Sequence, residues 1–358
     1  MTATAERARA EAADLPRRRR RPVLFLAALA AALSASLPVA TGLGPVSVPA
    51  ETVTRIIANG LFGFGEADWA PSAENIVWKL RVPRVLLGAF VGAALSLAGA
   101  AVQALARNPL ADPYLLGISS GASAGAAAAL LFGFGSGAGV FALTGSAFLG
   151  AVTAVALVFA AARARGPLDG GRLVFAGIAV GFALTALTNF LVFTSDSRDG
   201  ARAVLFWTLG SLTRARWESV PIAAIAAAGA LAVLFLWARK LDAIAIGDET
   251  ALSLGTDPSR FRAAAALVIA LAVAAAVAVS GAIGFVGLVV PHLARRVVGS
   301  AHRLVLPASA LLGALLIVWA DALARTAFAP RELPLGVLTA MLGTPLLIVL
   351  VRRLHRNA

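Results

Sequence analysis

The sequence predicts an all-α polytopic membrane protein with about ten transmembrane helices, plus short cytoplasmic and short interfacial helices. Three observations predict it. Of its 358 residues, 59% are apolar and only 14% are charged, whereas soluble domains carry about 25% charged residues. Apolar runs of about 20 residues recur, long enough to cross a bilayer as helix. Arginines collect at the ends of those runs, as the positive-inside rule demands. A membrane β-barrel would need short alternating segments instead.

The formal net charge of +13 suggests nucleic acid as a competing partner. Because the arginines flank apolar spans, the charge reads as membrane topology, and no nucleic-acid partner is expected. The chain has no cysteine, which excludes disulfides and thiolate metal sites. Its histidines, His292, His302 and His355, match no metal-ligand spacing. Neither a metal nor a cofactor is expected.

The elements follow in order. Arg17–Arg21 precede an apolar run from Pro22, the order of parts found in a cleaved signal peptide. The run is long for that, and many spans follow, so it reads as a retained first helix near 22–42. Residues 1–21 form a basic N-terminal tail, with 1–16 disordered. Further spans are predicted near 82–105, 114–133, 138–162, 172–194, 219–238, 262–281, 284–298, 303–324 and 334–351. They form a single transmembrane domain over 22–351, and 352–358 form a C-terminal tail. Placing the Arg17–Arg21 cluster in the cytoplasm puts Arg107, Arg163, Arg165, Arg239, Lys240, Arg295 and Arg296 on the same side. Both termini are then cytoplasmic. On the outer side, Ala50 to Leu61 is amphipathic and suits a helix lying on the membrane surface. Ala203 to Leu212, with Phe206 and Trp207, suits a second interfacial helix.

Small residues recur at spacings that let helices approach closely in lipid, at Gly88/Gly92 and Gly117/Gly121/Gly125. This reads as packing inside one bundle. A slide of 188 residues aligns Gly99 with Gly287, Leu105-Ala106-Arg107 with Leu293-Ala294-Arg295, and Gly125 with Gly313. It is a faint hint of the duplication common in transporters.

Four segments bear on function. From Leu241 to Arg260 one polar stretch interrupts the apolar spans, centred on Gly247-Asp248-Glu249-Thr250-Ala251-Leu252-Ser253-Leu254-Gly255. This loop, about 240–261, offers adjacent acids and helix formers to a cytoplasmic partner. Its acids suit basic residues on that partner, and Ala251 and Leu254 suit an apolar contact. Asn108-Pro109-Leu110-Ala111-Asp112-Pro113 joins two spans; its prolines disfavour helix, and Asp112-Pro113 cap the next one. It reads equally as a reversal loop or as a rigid constriction. Gly281, Gly284 and Gly287 are three apart and would share a helix face that Pro291 then breaks, which is tolerated where neighbours or a wet cavity satisfy the backbone. Asp321 lies near the end of the ninth span, where Arg325, four residues on, is its simplest partner. No span carries a mid-depth acid of the kind a proton relay uses. No phosphate-cradling Gly-Lys-Ser/Thr loop occurs, so no ATPase or other catalytic site is expected in this chain.

Taken together, the chain resembles the FecCD-type permeases of ABC importers, the type II importers of iron-siderophores, haem and vitamin B12. The matching segments are Leu80-Arg81-Val82-Pro83-Arg84, Gln103 to Pro113, Leu116-Gly117-Ile118-Ser119-Ser120-Gly121, Gly247 to Gly255, Gly281 to His292, and Glu332-Leu333-Pro334-Leu335-Gly336-Val337-Leu338-Thr339. The resemblance implies a permease that pairs with a second permease subunit, identical or paralogous. Two ABC ATPase subunits bind below it, and a periplasmic or lipid-anchored substrate-binding protein docks above, in the bacterial cytoplasmic membrane. It implies ATPase coupling at Asp248, Glu249, Thr250, Ala251, Leu254 and Gly255. It implies binding-protein docking at Arg55 and Arg325. The implied cytoplasmic gate is at Asn108 and Leu110 with the loop before the fifth span, where Gly170-Gly171 stand in place of the small hydroxyl residues of some relatives. Gly281, Gly284, Gly287 and Pro291 are implied in pathway or packing. The implied cargo is a ferric siderophore, with haem or cobalamin as alternatives. A stand-alone secondary carrier and a non-transporting membrane receptor are the readings from other classes.

Overall fold

The computed structural model describes residues 2–64, 67–163 and 170–356. Among these the chain is helical, with no strand. We number the helices α1 (Thr2–Gly42), α2 (Ala50–Phe62), α3 (Pro71–Ala106), α4 (Ile118–Phe132), α5 (Ala142–Arg163), α6 (Gly170–Phe193), α7 (Arg198–Thr208), α8 (Val220–Leu236), α9 (Ala238–Ile246), α10 (Asp248–Ser253), α11 (Pro258–Ser280), α12 (Val286–Val298), α13 (His302–Thr326) and α14 (Leu335–Arg356).

Among the described residues six helices are long and apolar enough to cross a membrane, and a seventh follows if α8 and α9, bent by 65°, form one broken span. The shorter apolar helix α4 and the apolar part of α14, with the short amphipathic α12, account for the rest of the about ten that the sequence predicts. One expectation at the N-terminus is corrected. Helix α1 runs back to Thr2 instead of leaving a disordered segment, because residues 3–13 are mostly Ala, Glu and Arg, strong helix formers.

Helix α3 is the axis of the bundle. In its most apolar window 83% of residues are buried, against 17% in α1 and α6. It packs against α8, α11, α12 and α13. Lipid offers no hydrophobic drive between helices, so close backbone approach holds such contacts. A Cβ on Gly99 would sit 1.9 Å from the Gly287 carbonyl oxygen, and one on Gly92 would sit 2.2 Å from that of Gly313. Gly121 meets Gly150 in the same way. The glycine spacings thus serve contacts within this chain. Gly99 and Gly287, equivalent in the 188-residue slide, touch each other.

Two breaks interrupt the helices. Arg107 ends α3 with φ 50°, and a turn leads to the 3-10 turn Pro113–Leu116. Between α11 and α12 the chain is non-helical over 281–285, with φ 68° at Gly281 and 69° at Phe285. The single helix face expected for Gly281, Gly284 and Gly287 therefore does not form, and only Gly287 is helical. A left-handed turn at each end of the break wins over the three-residue spacing.

Candidate functional site

The polar loop expected at about 240–261 resolves into two short helices. Trp237 turns the chain from α8 into α9, where its ring meets Phe261 edge-on at 5.5 Å. Helix α9 buries Leu241, Ala243 and Ile244. Its Asp242 accepts from the backbone N–H of His302 at 3.0 Å and lies 2.6 Å from His302 Nδ1. This ties α9 to the start of α13. Gly247 in extended conformation then lets α10 start in a new direction.

On α10 the two acids part company. Glu249 is exposed, as are Leu252 and Leu254, and Ile246 just before them. Asp248, partly exposed, is instead tied back to the bundle. Arg262, 2% exposed, donates to it through both terminal nitrogens, at 2.9 and 2.6 Å. Arg107 adds a third contact at 3.2 Å. The Arg262 hydrogen bonds, reinforced by the charges of Arg262 and Arg107, hold the Asp248 carboxyl below the usual carboxylate range. Ala251 is fully buried, so the apolar contact expected of it falls to Leu252 and Leu254. Thr250 is half-buried, and Gly255 ends the helix at φ 76°.

Next to this clamp lies the turn after α3. Asn108 is exposed, and its side-chain oxygen accepts from the backbone N–H of Leu110 at 2.9 Å, which stiffens the turn. Asp112 caps the following turn by accepting from Tyr114 N–H at 2.8 Å. Tyr114, the one tyrosine in the sequence, joins this turn to the break between α11 and α12. Its hydroxyl donates to the Ile283 carbonyl and accepts from the Ile283 N–H, both at 3.0 Å. One side chain thereby satisfies the broken backbone between α11 and α12. Gly171 begins α6 beside Gly170, and the loop before them, residues 164–169, lies outside the described residues.

The opposite face begins about 37 Å away, the length of the 25 residues Val82–Ala106 at 1.5 Å each. Here Arg325 is 2% exposed and inward-facing. It pairs with Asp321 at 3.0 Å and donates to the carbonyls of Leu43 and Ala40 at 3.0 and 3.1 Å. This corrects the docking role expected of it, because a guanidinium that caps the end of α1 offers nothing to a partner. Arg81 caps the same end through Thr41, Gly42 and Val46 carbonyls. Arg84 bridges Asp321 and Glu332, at 2.9 and 2.8 Å. Arg55, by contrast, is exposed on α2, paired with Asp68 at 2.7 Å and 5.9 Å from the Trp69 ring centre. A cavity of about 330 Å³ opens beside Arg81, Arg84, Arg325 and Glu332.

Sequence reasoning missed Arg262, Arg107, Arg84, Glu332 and Tyr114 as site residues. An arginine past the first turn of an apolar helix, as Arg262 is, was the available signal.

The sequence profile of the FecCD transport family matches residues 27–353. The chain is 42% identical over 287 residues to the vitamin B12 import system permease protein BtuC of Vibrio cholerae, covering 80% of this chain and 86% of that one. It is 40% identical over 292 residues to the hemin transport system permease protein HmuU of Yersinia pestis, covering 80% and 86%. It is 37% identical over 286 residues to the Fe(3+)-citrate import system permease protein YfmD of Bacillus subtilis, covering 80% and 84%. A solved structure of a metal-chelate type ABC transporter in an inward-facing conformation superposes with a TM-score of 0.79 at 29% identity, covering 92% of this chain and 98% of that one. A match that runs through nearly every span, on a bundle with clamped polar helices at one end, leaves one conclusion: the chain belongs to the FecCD transport family, the multi-pass permease subunits of ABC importers.

Proposed function

We propose that this permease imports a ferric siderophore or related iron chelate, delivered by a binding protein and driven by two separate ATPase subunits. The observation that carries the coupling assignment is the outward face of α10. Glu249, Leu252 and Leu254 stand exposed on a short helix that the rest of the chain holds firmly. An acid ringed by apolar residues suits a basic, partly apolar cleft on a partner. In this reading the α10 face and both tails, 1–21 and 352–358, are cytoplasmic, and the membrane is the bacterial inner membrane. The opposite face receives the binding protein, with Arg55 as the docking cation. The rigid turn of Asn108 and Leu110, with Gly170 and Gly171, forms the cytoplasmic constriction. Two such subunits enclose the pathway, through exposed apolar residues such as Phe175 and Phe182 on α6 and Met341 on α14.

Hemin and Fe(3+)-citrate in the names of two relatives favour an iron chelate as cargo. The BtuC relative supports cobalamin as the second reading. The test is reconstitution with the cognate ATPase and binding protein in vesicles. Glu249→Arg should abolish ATP-driven uptake while insertion stays intact, and normal uptake would refute the coupling role. Competition of labelled ferric siderophore by haem or cobalamin separates the cargos. Uptake that proceeds with no ATPase present would overturn the import reading itself.

A further inference from the structure

The acid that opens α10 is partly exposed but paired to the bundle, and that pairing gives it a different task from its neighbour. Asp248 leaves its own helix uncapped, since no side-chain bond caps the N-terminus of α10. Its two oxygens are taken by the buried fork of Arg262, at 2.9 and 2.6 Å. The Nε of the same guanidinium donates to the Leu105 carbonyl at 3.3 Å, in the last turn of α3. Arg107, one residue past that helix, reaches Asp248 at 3.2 Å, and Asn108 follows directly.

One carboxylate therefore gathers the start of α10, the start of α11 and the end of α3. A two-pronged guanidinium–carboxylate pair fixes direction as well as distance, whereas a single contact allows a pivot. A displacement of α10 must carry both helix ends with it.

We propose that Asp248 is the joint through which motion of α10 enters the membrane bundle, acting on Arg262 and Arg107 and through Arg107 on the 108–110 turn. It is a positioning residue and makes no contact with the ATPase. The proposal rests on the reading of α10 as the ATPase-facing element.

The test uses the complete transporter in vesicles and reads three quantities: ATPase subunit retained on purification, ATP hydrolysed, and cargo taken up. Asp248→Asn should retain the ATPase and its hydrolysis within about twofold of wild type, while uptake per ATP falls tenfold or more. Arg262→Lys keeps the charge, loses the fork, and should uncouple in the same direction. It also serves as the second probe if Asp248→Asn inserts poorly. Asp248→Glu, which keeps the carboxylate for Arg262 and Arg107, should recover at least threefold of the coupling that Asp248→Asn loses. Loss of ATPase retention in parallel with uptake, or unchanged uptake per ATP in both single variants, would overturn the joint. The underlying reading fails separately: Glu249→Arg would then leave both retention and uptake at wild-type levels.

Discussion

Replacing Asp321 with Asn tests the internal role found for Arg84 and Arg325. Asp321 is 2% exposed and accepts from Arg84 through Nε and a terminal nitrogen, at 2.9 to 3.1 Å. It also pairs with Arg325 Nε at 3.0 Å. Glu332 is the one other acid on Arg84, and it is partly exposed. Neutralising Asp321 leaves Arg325 with backbone carbonyls alone and Arg84 with one partly exposed carboxylate. Breaking a buried pair in this way costs about 3–5 kcal/mol. The amide keeps one acceptor oxygen, so the lower end applies. Asp68→Asn is the matched control. It breaks the Arg55–Asp68 pair, whose side chains are 45% and 58% exposed, and such exposed pairs contribute at most about 1 kcal/mol. The difference of about 2 kcal/mol or more is over tenfold in the folded-to-unfolded ratio. Thermal unfolding of both variants in detergent reads it directly. If Asp321→Asn melts within error of Asp68→Asn, the cluster is not the fastener described here, and Arg325 becomes available again as a docking residue.

Three further outcomes are expected. Gly99→Ala places a methyl 1.9 Å from the Gly287 carbonyl oxygen and should cost about 1–3 kcal/mol by overpacking. Gly229→Ala meets open space and should melt like wild type; equal melting of the two variants would remove the close contact. Tyr114→Phe strands the Ile283 N–H and carbonyl, at about 1–3 kcal/mol. Because the chain has no cysteine, a Gly284→Cys probe should label severalfold faster with maleimide in that background, and an unchanged rate would contradict the lock. Asp248 is held below the usual carboxylate range, so the stability it contributes is present above that range and lost only as pH falls through the lowered value. The melting difference between wild type and Asp248→Asn should thus stay flat from about pH 8 to about pH 5, and closure near about pH 6 would be inconsistent with the clamp.

Much of the architecture was legible because bilayer thickness leaves little choice of helix length. The stretch read as 172–194 is helical over Gly170–Phe193, and that read as 303–324 over His302–Thr326. What failed was local pattern without tertiary context. The spacing of Gly281, Gly284 and Gly287 suits a helix, yet Gly281 and Phe285 take left-handed conformations because the break is bound from outside by Tyr114. That hydroxyl lies 169 residues away in sequence, and no local pattern carries it. The Asp321–Arg325 pair was readable because both sit on one helix, four residues apart. The Asp248–Arg262 clamp spans two helices, and its charges read as a solvated loop beside a positive-inside arginine.

The net charge has a second meaning in the folded chain. Lysine occurs at Lys79 and Lys240 alone, and both are exposed. The buried cations are all arginine, and each serves several acceptors at once. Arg262 holds a carboxylate and a carbonyl, Arg325 a carboxylate and two carbonyls, Arg84 two acids, and Arg81 three carbonyls. A lysine carries three donors on one atom and cannot span such sets, whereas the planar five-donor fork can. These joints sit at helix ends, where carbonyls lack intrahelical partners, and the spans between them are apolar. Part of what reads in the sequence as a charge bias for topology is therefore joinery: it fastens α1, α3, α10, α11 and α13 at their ends and leaves the apolar lengths between to move as rigid bodies.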